Sequence, residues 1–278
     1  MNRYTSSEGK KLYRKSFCAY FDILGFSNKI QNEDLEFFEK YLTVLDTEIK
    51  YLDKTHDFYD RDGYKTFELK IFTDNFVLGY PWQDQFGESE LGYLYEVLSH
   101  IQFNFIKNGI FIKGAISLSK LFMDENIVLG NALIEAYQLE DKKAIYPRII
   151  LSDDAQKVVK EHIGYYGNPK DSPQSNQYLK DKDGYYFVNY LYGLIDDSLD
   201  YRGYEDYAHI STELIEHKKA VEFGLTENSK NYRVFEKYVW TANYHNFFCN
   251  NFLDKKNYEI KKLLIDSKLF EMNIGRCI

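Results

Sequence analysis

The chain has 278 residues, about twice the usual domain length, which admits one large domain or a domain with a sizeable appendage. With 44% hydrophobic and 18% aromatic residues it is too apolar for a disordered chain. Its 35 Lys and Arg against 43 Asp and Glu give a net charge of −8, which opposes a sequence-independent grip on nucleic-acid phosphates.

Cys18, Cys249 and Cys277 are odd in number, far apart and without a C-x-x-C pair, so a reducing, cytoplasmic compartment is expected. The basic stretch MNRYTSSEGKKLYRK leads into FCAYFDILGF, an apolar run interrupted by Asp22 and short of the ~20 residues of a membrane span. Neither an export signal nor a membrane partner is expected.

Residues 17–23, FCAYFDI, have the aromatic and apolar content of a buried strand, and Asp22 stands at its far end. The turn L-G-F-S leads to residues 35–52, where Leu35, Phe38, Leu42, Leu45, Ile49 and Leu52 recur at steps of three and four. That spacing predicts an amphipathic helix returning across the strand. Residues 66–80, TFELKIFTDNFVLGY, are two apolar runs meeting at Thr73-Asp74-Asn75, the composition of a tight hairpin. A helix over residues 91–107, stopped by Asn108-Gly109, precedes a strand over 110–117.

The run NIVLGNALIEAYQLE reads as a short strand, a Gly130 turn and a helix with Asn131 as N-cap. RIILS follows Pro147 as a strand, and Asp153-Asp154 begin a helix over AQKVVKEHI. YLKDKDGYYFVNYL reads as strand, Asp-Gly turn, strand. From about Ile195 the strand signals stop, and residues 207–224, 231–252 and 258–269 have helical periodicity. Two domains are therefore expected: 1–195, a sheet with helices, and 196–278, a helical extension packed on the core. No internal repeat is present.

Side-by-side pairing of the first strand and the hairpin would bring Asp22 and Asp74 together, and such a pair can hold two Mg²⁺ or Mn²⁺ ions. Two-metal carboxylate sites serve phosphoryl and nucleotidyl transfer, because hard cations take oxygen ligands and clamp the attacking and leaving oxygens. On spacing alone, a turn and capping role for both aspartates stays equally open.

FCAYFDILGF closely resembles the opening strand of class III nucleotidyl cyclases, and LKIFTDNFVLGY resembles their metal-binding hairpin. KGAISLSK, IVLGNALIEAYQLE, YPRIILSDDAQKVV and LKDKDGYYFVNYL are similar to the following strand, the dimer-face helix, the next strand and helix, and the closing hairpin. The resemblance covers residues 15–192 and rests on the order of these landmarks. It implies an α+β, ferredoxin-like or palm-type core with a mixed, mainly antiparallel sheet, and leaves the C-terminal helical appendage outside. By this resemblance Asp22, Asp74 and the Ile23 carbonyl would bind two Mg²⁺ or Mn²⁺ ions. Leu24, Gly25 and Phe26 would cradle the phosphates, Lys180 or Lys182 would hold the triphosphate, and Lys70 would read the base.

Where the family carries a ribose-orienting Asn and a transition-state Arg, this chain has Ile134 and Gln138, and Ile127 stands at the acidic base-reading position. Such changes fit the bacterial pyrimidine cyclases of Pycsar antiphage systems, which this chain resembles as a divergent member. Lys113, Arg148 or Lys120 would then supply the missing cation. The resemblance implies a homodimer that converts a nucleoside triphosphate, UTP or CTP, into a 3′,5′-cyclic nucleotide sensed by a separate effector. The competing reading is a degenerate cyclase that binds a nucleotide or only dimerises. A polymerase-like palm would also use two carboxylates, but it would want a basic channel.

His245 and Cys249 are four apart, yet their aromatic neighbours favour packed core over a metal pair. KDKDG reads as a solvated turn more readily than as a phosphate clamp. Most of the 26 Tyr and 21 Phe fall on apolar faces and are expected in the core, with Tyr201, Tyr204 and Tyr207 unplaced.

Overall fold

The structure, a computed structural model, describes residues 2–59, 67–83, 87–199 and 205–270. Cys277, Tyr201, Tyr204 and the first residue of the expected hairpin, Thr66, lie outside them. The chain divides into two compact units, Met1–Leu98 with Ile112–Val188, and Ser99–Phe111 with Asn189–Ile278.

The first unit is built on a mixed, mostly antiparallel sheet. Strand β1 (Arg14–Ile23) is followed by helices α1 (Phe26–Gln31) and α2 (Leu35–Tyr59), then strands β2 (Glu68–Phe72) and β3 (Asn75–Pro81) and helix α3 (Glu88–Lys107). Strands β4 (Ile112–Met123) and β5 (Val128–Leu129), helix α4 (Asn131–Lys143), strand β6 (Ile149–Leu151) and helix α5 (Asp153–Gly164) come next. A short α6 (Gln174–Gln177) leads into strands β7 (Tyr178–Lys180) and β8 (Tyr186–Val188). The sheet order is β2-β3-β1-β4-β6-β8-β7, with β5 pairing β4 off this path and β4·β6 the parallel pair.

Alternation along β1 sets two faces. Phe17, Ala19, Phe21 and Ile23 point one way into core, where Phe21 stacks on Phe76 at 4.8 Å. Cys18 and Tyr20 point the other way and join Val77, Leu121, Met123, Ala132 and Ala136 in a second cluster beneath α4. The Ser117 hydroxyl donates to the Ala132 carbonyl at 2.6 Å and ties α4 to β4.

Several elements differ from the sequence expectation for local reasons. β1 begins at Arg14 because Arg14 and Lys15 pair with Leu121 and Lys120, so charged residues continue the ladder. Helix α2 buries Tyr41, Val44, Glu48 and Leu52, while much of the expected apolar stripe faces outward. Its rotation is set by the Tyr41 hydroxyl, which donates to the Thr73 carbonyl at 2.9 Å, and by packing of Phe26 against Phe37 and Tyr41. Gly130, not Asn131, caps α4, since a Cβ there would lie 2.4 Å from the Lys120 carbonyl oxygen. Ser152 caps α5, accepting from the Ala155 N–H, and Asp153 and Asp154 occupy its first turn.

The second unit is helical. It contains residues 99–107 of α3, α7 (Gly193–Ser198), α8 (Tyr207–Glu227), α9 (Tyr232–Phe252) and a single-turn α10 (Ile260–Leu263). The third long helix expected over 258–269 is absent from the described residues. Asn246 accepts from the Ile265 N–H at 2.8 Å and donates to its carbonyl at 2.9 Å, so that backbone bonds to a side chain of α9 instead of continuing a helix.

His245 and Cys249 are core residues here, 0% exposed. His245 Nε2 lies 3.0 Å from the Leu263 carbonyl and must carry the proton, which leaves Nδ1 as acceptor. His217 Nδ1, 3.0 Å away, is therefore the donor to it, and His217 Nε2 accepts from the Tyr190 hydroxyl at 2.9 Å. Every position in this chain is committed, so neither imidazole can add a proton without breaking a bond. Burial pushes the His245 pKa down to about 4 and drives His217 well below its ordinary value, with the neighbouring His245 adding to the effect.

Both groups have folded pKa values below the unfolded ~6.5, so their stabilisation is complete above that value and is lost as pH falls toward 4. The second unit is expected to lose about 3 kcal/mol for His245 between pH 7 and 4. Urea titrations followed by the fluorescence of Trp240, which stacks on Tyr244 in α9, check this. His245→Gln flattens the pH dependence.

Candidate functional site

The site expected from the sequence lies where the central strand ends. In register, Asp22 on β1 stands opposite Asn75 on β3 and opposite Lys113 on β4. Asn75 is the residue after Asp74, which occupies the two-residue turn between β2 and β3, where Thr73 adopts φ 58°. Asp74 accepts from the Thr73 hydroxyl at 2.8 Å and from the Asn75 side-chain amide at 3.0 Å, which orients its carboxylate. The Tyr20 hydroxyl donates to the Asn75 side-chain Oδ1 from two residues down β1. The two aspartates are thus carried by adjacent strands at one end of the sheet.

Beside them stands an internal cation. Lys113 Nζ is 3.8 Å from Asp22 Oδ1 and is bonded to the buried carboxylate of Glu140, which α4 carries over this face. The field here is acidic: burial raises the Tyr20 pKa, and Glu140, Asp22, Tyr137 and Asp74 raise it further, in that order. Tyr41 is pushed up to about 12 by burial and then by Asp74. Glu140 was not legible as a site residue, because nothing in the sequence marks the pairing of a helix residue with a strand residue 27 positions earlier.

The remaining expected residues fall in distinct places. After Ile23 and Leu24, Gly25 takes φ 77°, a left-handed conformation that glycine adopts without penalty, and opens α1 at Phe26. The Phe26 ring, packed on Phe37 and Tyr41, fixes this turn. Lys70 lies on the same face as Asp22, opposite Val77, and donates to the Glu125 carbonyl in the turn that carries Ile127. Lys120 is exposed on β4.

Lys180 and Lys182 are exposed on edge strand β7 and its turn, four strands from β1. At about 4.8 Å per strand that is about 19 Å across the sheet, so within one chain they do not join Asp22. Arg148 is 0% exposed, and its guanidinium is held by Asp181 and Asp183 in the closing turn. That setting does not suit the expected contact with a substrate phosphate; Arg148 here pins β6 to the hairpin. Ile134 and Gln138 lie on the exposed side of α4, with Tyr137, Ile127 and Leu129 nearby in sequence and also exposed.

Among the described residues no cluster of three or more His, Cys, Asp or Glu side chains has the geometry to hold a metal ion. The donor set of Asp22, Asp74 and the Ile23 carbonyl is one of hard oxygens in a negative field. It fits Mg²⁺ or Mn²⁺, which bind through one or two carboxylates and complete their shell with substrate phosphates and water. No described helix is long and apolar enough to cross a membrane.

No family model and no curated protein matches the chain. Among solved structures it is similar to a class III adenylyl cyclase-like ATP-binding protein from Pseudomonas aeruginosa, with TM-score 0.40 and 11% identity over 55% of this chain and 37% of that one. It is also similar to a bacterial light-regulated adenylyl cyclase, with TM-score 0.39 and 11% identity over 77% of this chain and 64% of that one. The chain thus spans less than two thirds of either structure's length.

Two outcomes are expected. Glu140→Gln removes the second carboxylate that shares Lys113, leaves the ammonium on Asp22 and weakens Mn²⁺ binding about tenfold by titration calorimetry. Arg148→Met removes the cation that holds Asp181 and Asp183, both partly open to solvent, and lowers stability by about 1–2 kcal/mol in urea titration.

Proposed function

We propose that this chain is a nucleotidyl cyclase that converts a nucleoside triphosphate, UTP or CTP, into a 3′,5′-cyclic nucleotide and pyrophosphate. The observation that carries the reading is the register of β1 with β3, which sets Asp22 opposite the residue that follows Asp74. Each side chain belongs to a sequence landmark of that family, and both sit at one end of one sheet.

Mg²⁺ or Mn²⁺ held by Asp22, Asp74 and the Ile23 carbonyl supplies acidification of the 3′-hydroxyl and neutralisation of phosphate charge. The protein's own groups do the positioning. Residues 24–26 present backbone N–H groups to the triphosphate at the Gly25 turn, where the absence of a side chain lets an anion approach. Lys70, beside the turn of residues 124–127, would contact the base in the site of the second copy. O3′ attacks the α-phosphorus, the bond to pyrophosphate breaks and the hydroxyl proton passes to water, without a covalent enzyme intermediate. Lys113 provides a cation next to Asp22, whereas Ile134 and Gln138 provide none.

The cyclase would act as a homodimer through the exposed apolar side of α4 and the arm of residues 127–129. In that arrangement Lys180 or Lys182 reaches the triphosphate from the second copy. The product would serve antiphage signalling through a separate effector. A second reading, a nucleotide-binding or dimeric module without turnover, is favoured by one observation: the Lys113 ammonium 3.8 Å from Asp22 competes with a metal for that carboxylate.

Incubation of the protein with each radiolabelled ribonucleoside triphosphate and Mn²⁺ separates these. A cyclic monophosphate is expected from one pyrimidine nucleotide, with a loss of at least 100-fold in Asp22→Asn and in Asp74→Asn. Nucleotide binding without product in the wild type would establish the module instead.

A further inference from the structure

Helix α2 carries an apolar stripe that the other described residues leave largely exposed. Leu35 is 71% exposed, Phe38 44%, Leu42 45% and Ile49 39%, with Leu45 half-buried between them. Their spacing, 3, 4, 3 and 4 residues, is the a/d repeat of a coiled-coil seam and not the broader pattern of a helix packed on a sheet. The seam lies beside the buried row of Tyr41, Val44, Glu48 and Leu52 and runs into it at Leu52, the next position of the repeat. From Leu35 to Ile49 it runs about 21 Å at ~1.5 Å per residue, four helical turns.

Charge defines what fits it. The positions directly outside the seam, one residue after each d position, are Glu39, Asp46 and Asp53, all exposed and all acidic. Lys40, Lys50 and Lys54 lie further round the helix, with Lys50 bonded to Asp46 at 2.5 Å. A second copy of this seam would set acid against acid: Asp34 would face Glu39 in parallel, and Asp46 would face Asp46 when antiparallel. An anionic lipid surface meets the same repulsion.

We propose that α2 is the docking surface for an amphipathic helix of another protein, about four turns long, with apolar residues in 3–4 repeat and Lys or Arg along the edge that meets Glu39, Asp46 and Asp53. Burial of Phe38 and Leu42 at the seam centre supplies the affinity, and the acidic row fixes orientation and excludes acidic competitors. This surface is independent of the carboxylate site and stands whether or not the chain turns over a nucleotide.

The test uses the full chain and three labelled synthetic peptides of four heptads: leucine at a and d with lysine at the flanking positions, the same with glutamate, and a scrambled lysine peptide. Fluorescence anisotropy is expected to show the lysine heptad peptide bound at least tenfold tighter than the other two. Phe38→Ser with Leu42→Ser should weaken it at least tenfold, with circular dichroism unchanged because both side chains are exposed. Glu39→Lys with Asp46→Lys should turn the preference toward the glutamate peptide, whereas Glu216→Lys with Glu259→Lys, exposed acids of the second unit, should leave it as it was. Equal binding of the scrambled peptide, or no effect of the seam variants, overturns the proposal. So does a dimer in sedimentation that Leu42→Ser dissociates, or flotation with zwitterionic vesicles that the same variant abolishes.

Discussion

The register of β1 between β3 and β4 is the constraint on which the first unit depends. A strand has a side-chain period of two, so sliding β1 by one residue would turn Cys18 and Tyr20 out of the cluster beneath α4 and send Asp22 to the opposite face, away from Asn75 and Lys113. The same pairing that buries Phe21 on Phe76 therefore also places the carboxylates. Packing and chemistry are set by one choice of register, and neither can be altered without the other.

Around that strand, opposite charges are distributed with unequal burial. Glu140 is nearly inaccessible, Lys113 partly so and Asp22 more open, which grades the site from a fixed ion pair under α4 to a carboxylate that meets solvent. Burial makes the inner pair hard to break, since separating it would strand a charge in a poorly solvated place. The outer carboxylate is the exchangeable member. This gradient is what sets a lysine beside the carboxylate proposed as a metal ligand.

How much of this was legible from the sequence follows the range of the interactions. Asp22 and Asp74 could be placed because each ends an apolar run, a local pattern, and both strands emerged where the runs are. The hairpin β7–β8 was legible for the same reason, through its Asp-Gly turn. Lys113 with Glu140, Arg148 with Asp181 and Asp183, and Asn246 with Ile265 were not, because each joins residues whose spacing in the chain has no periodic signature. The apolar repeat of α2 was read correctly as helical and wrongly as the packed face: periodicity marks a stripe, whereas the Tyr41 hydroxyl and the Phe26 ring decide which way the helix turns.

The order of strands in the sheet also bears on how the chain acquires its structure. β1 leaves the ribosome before its partners β3 and β4, which end at Pro81 and Met123. At ~5–20 residues per second, the interval between β1 and the completion of β4 is on the order of 5–20 s. Until β3 emerges FCAYFDI has two bare edges, and until β4 emerges one, with a sequence rich in strand-forming aromatics, the composition that adds to any free strand it meets. α1 and α2 follow β1 directly and are available to shield it in the meantime, which makes the aromatic contact of Phe26 with Phe37 and Tyr41 an early guard on the nascent strand as well as a feature of the finished turn.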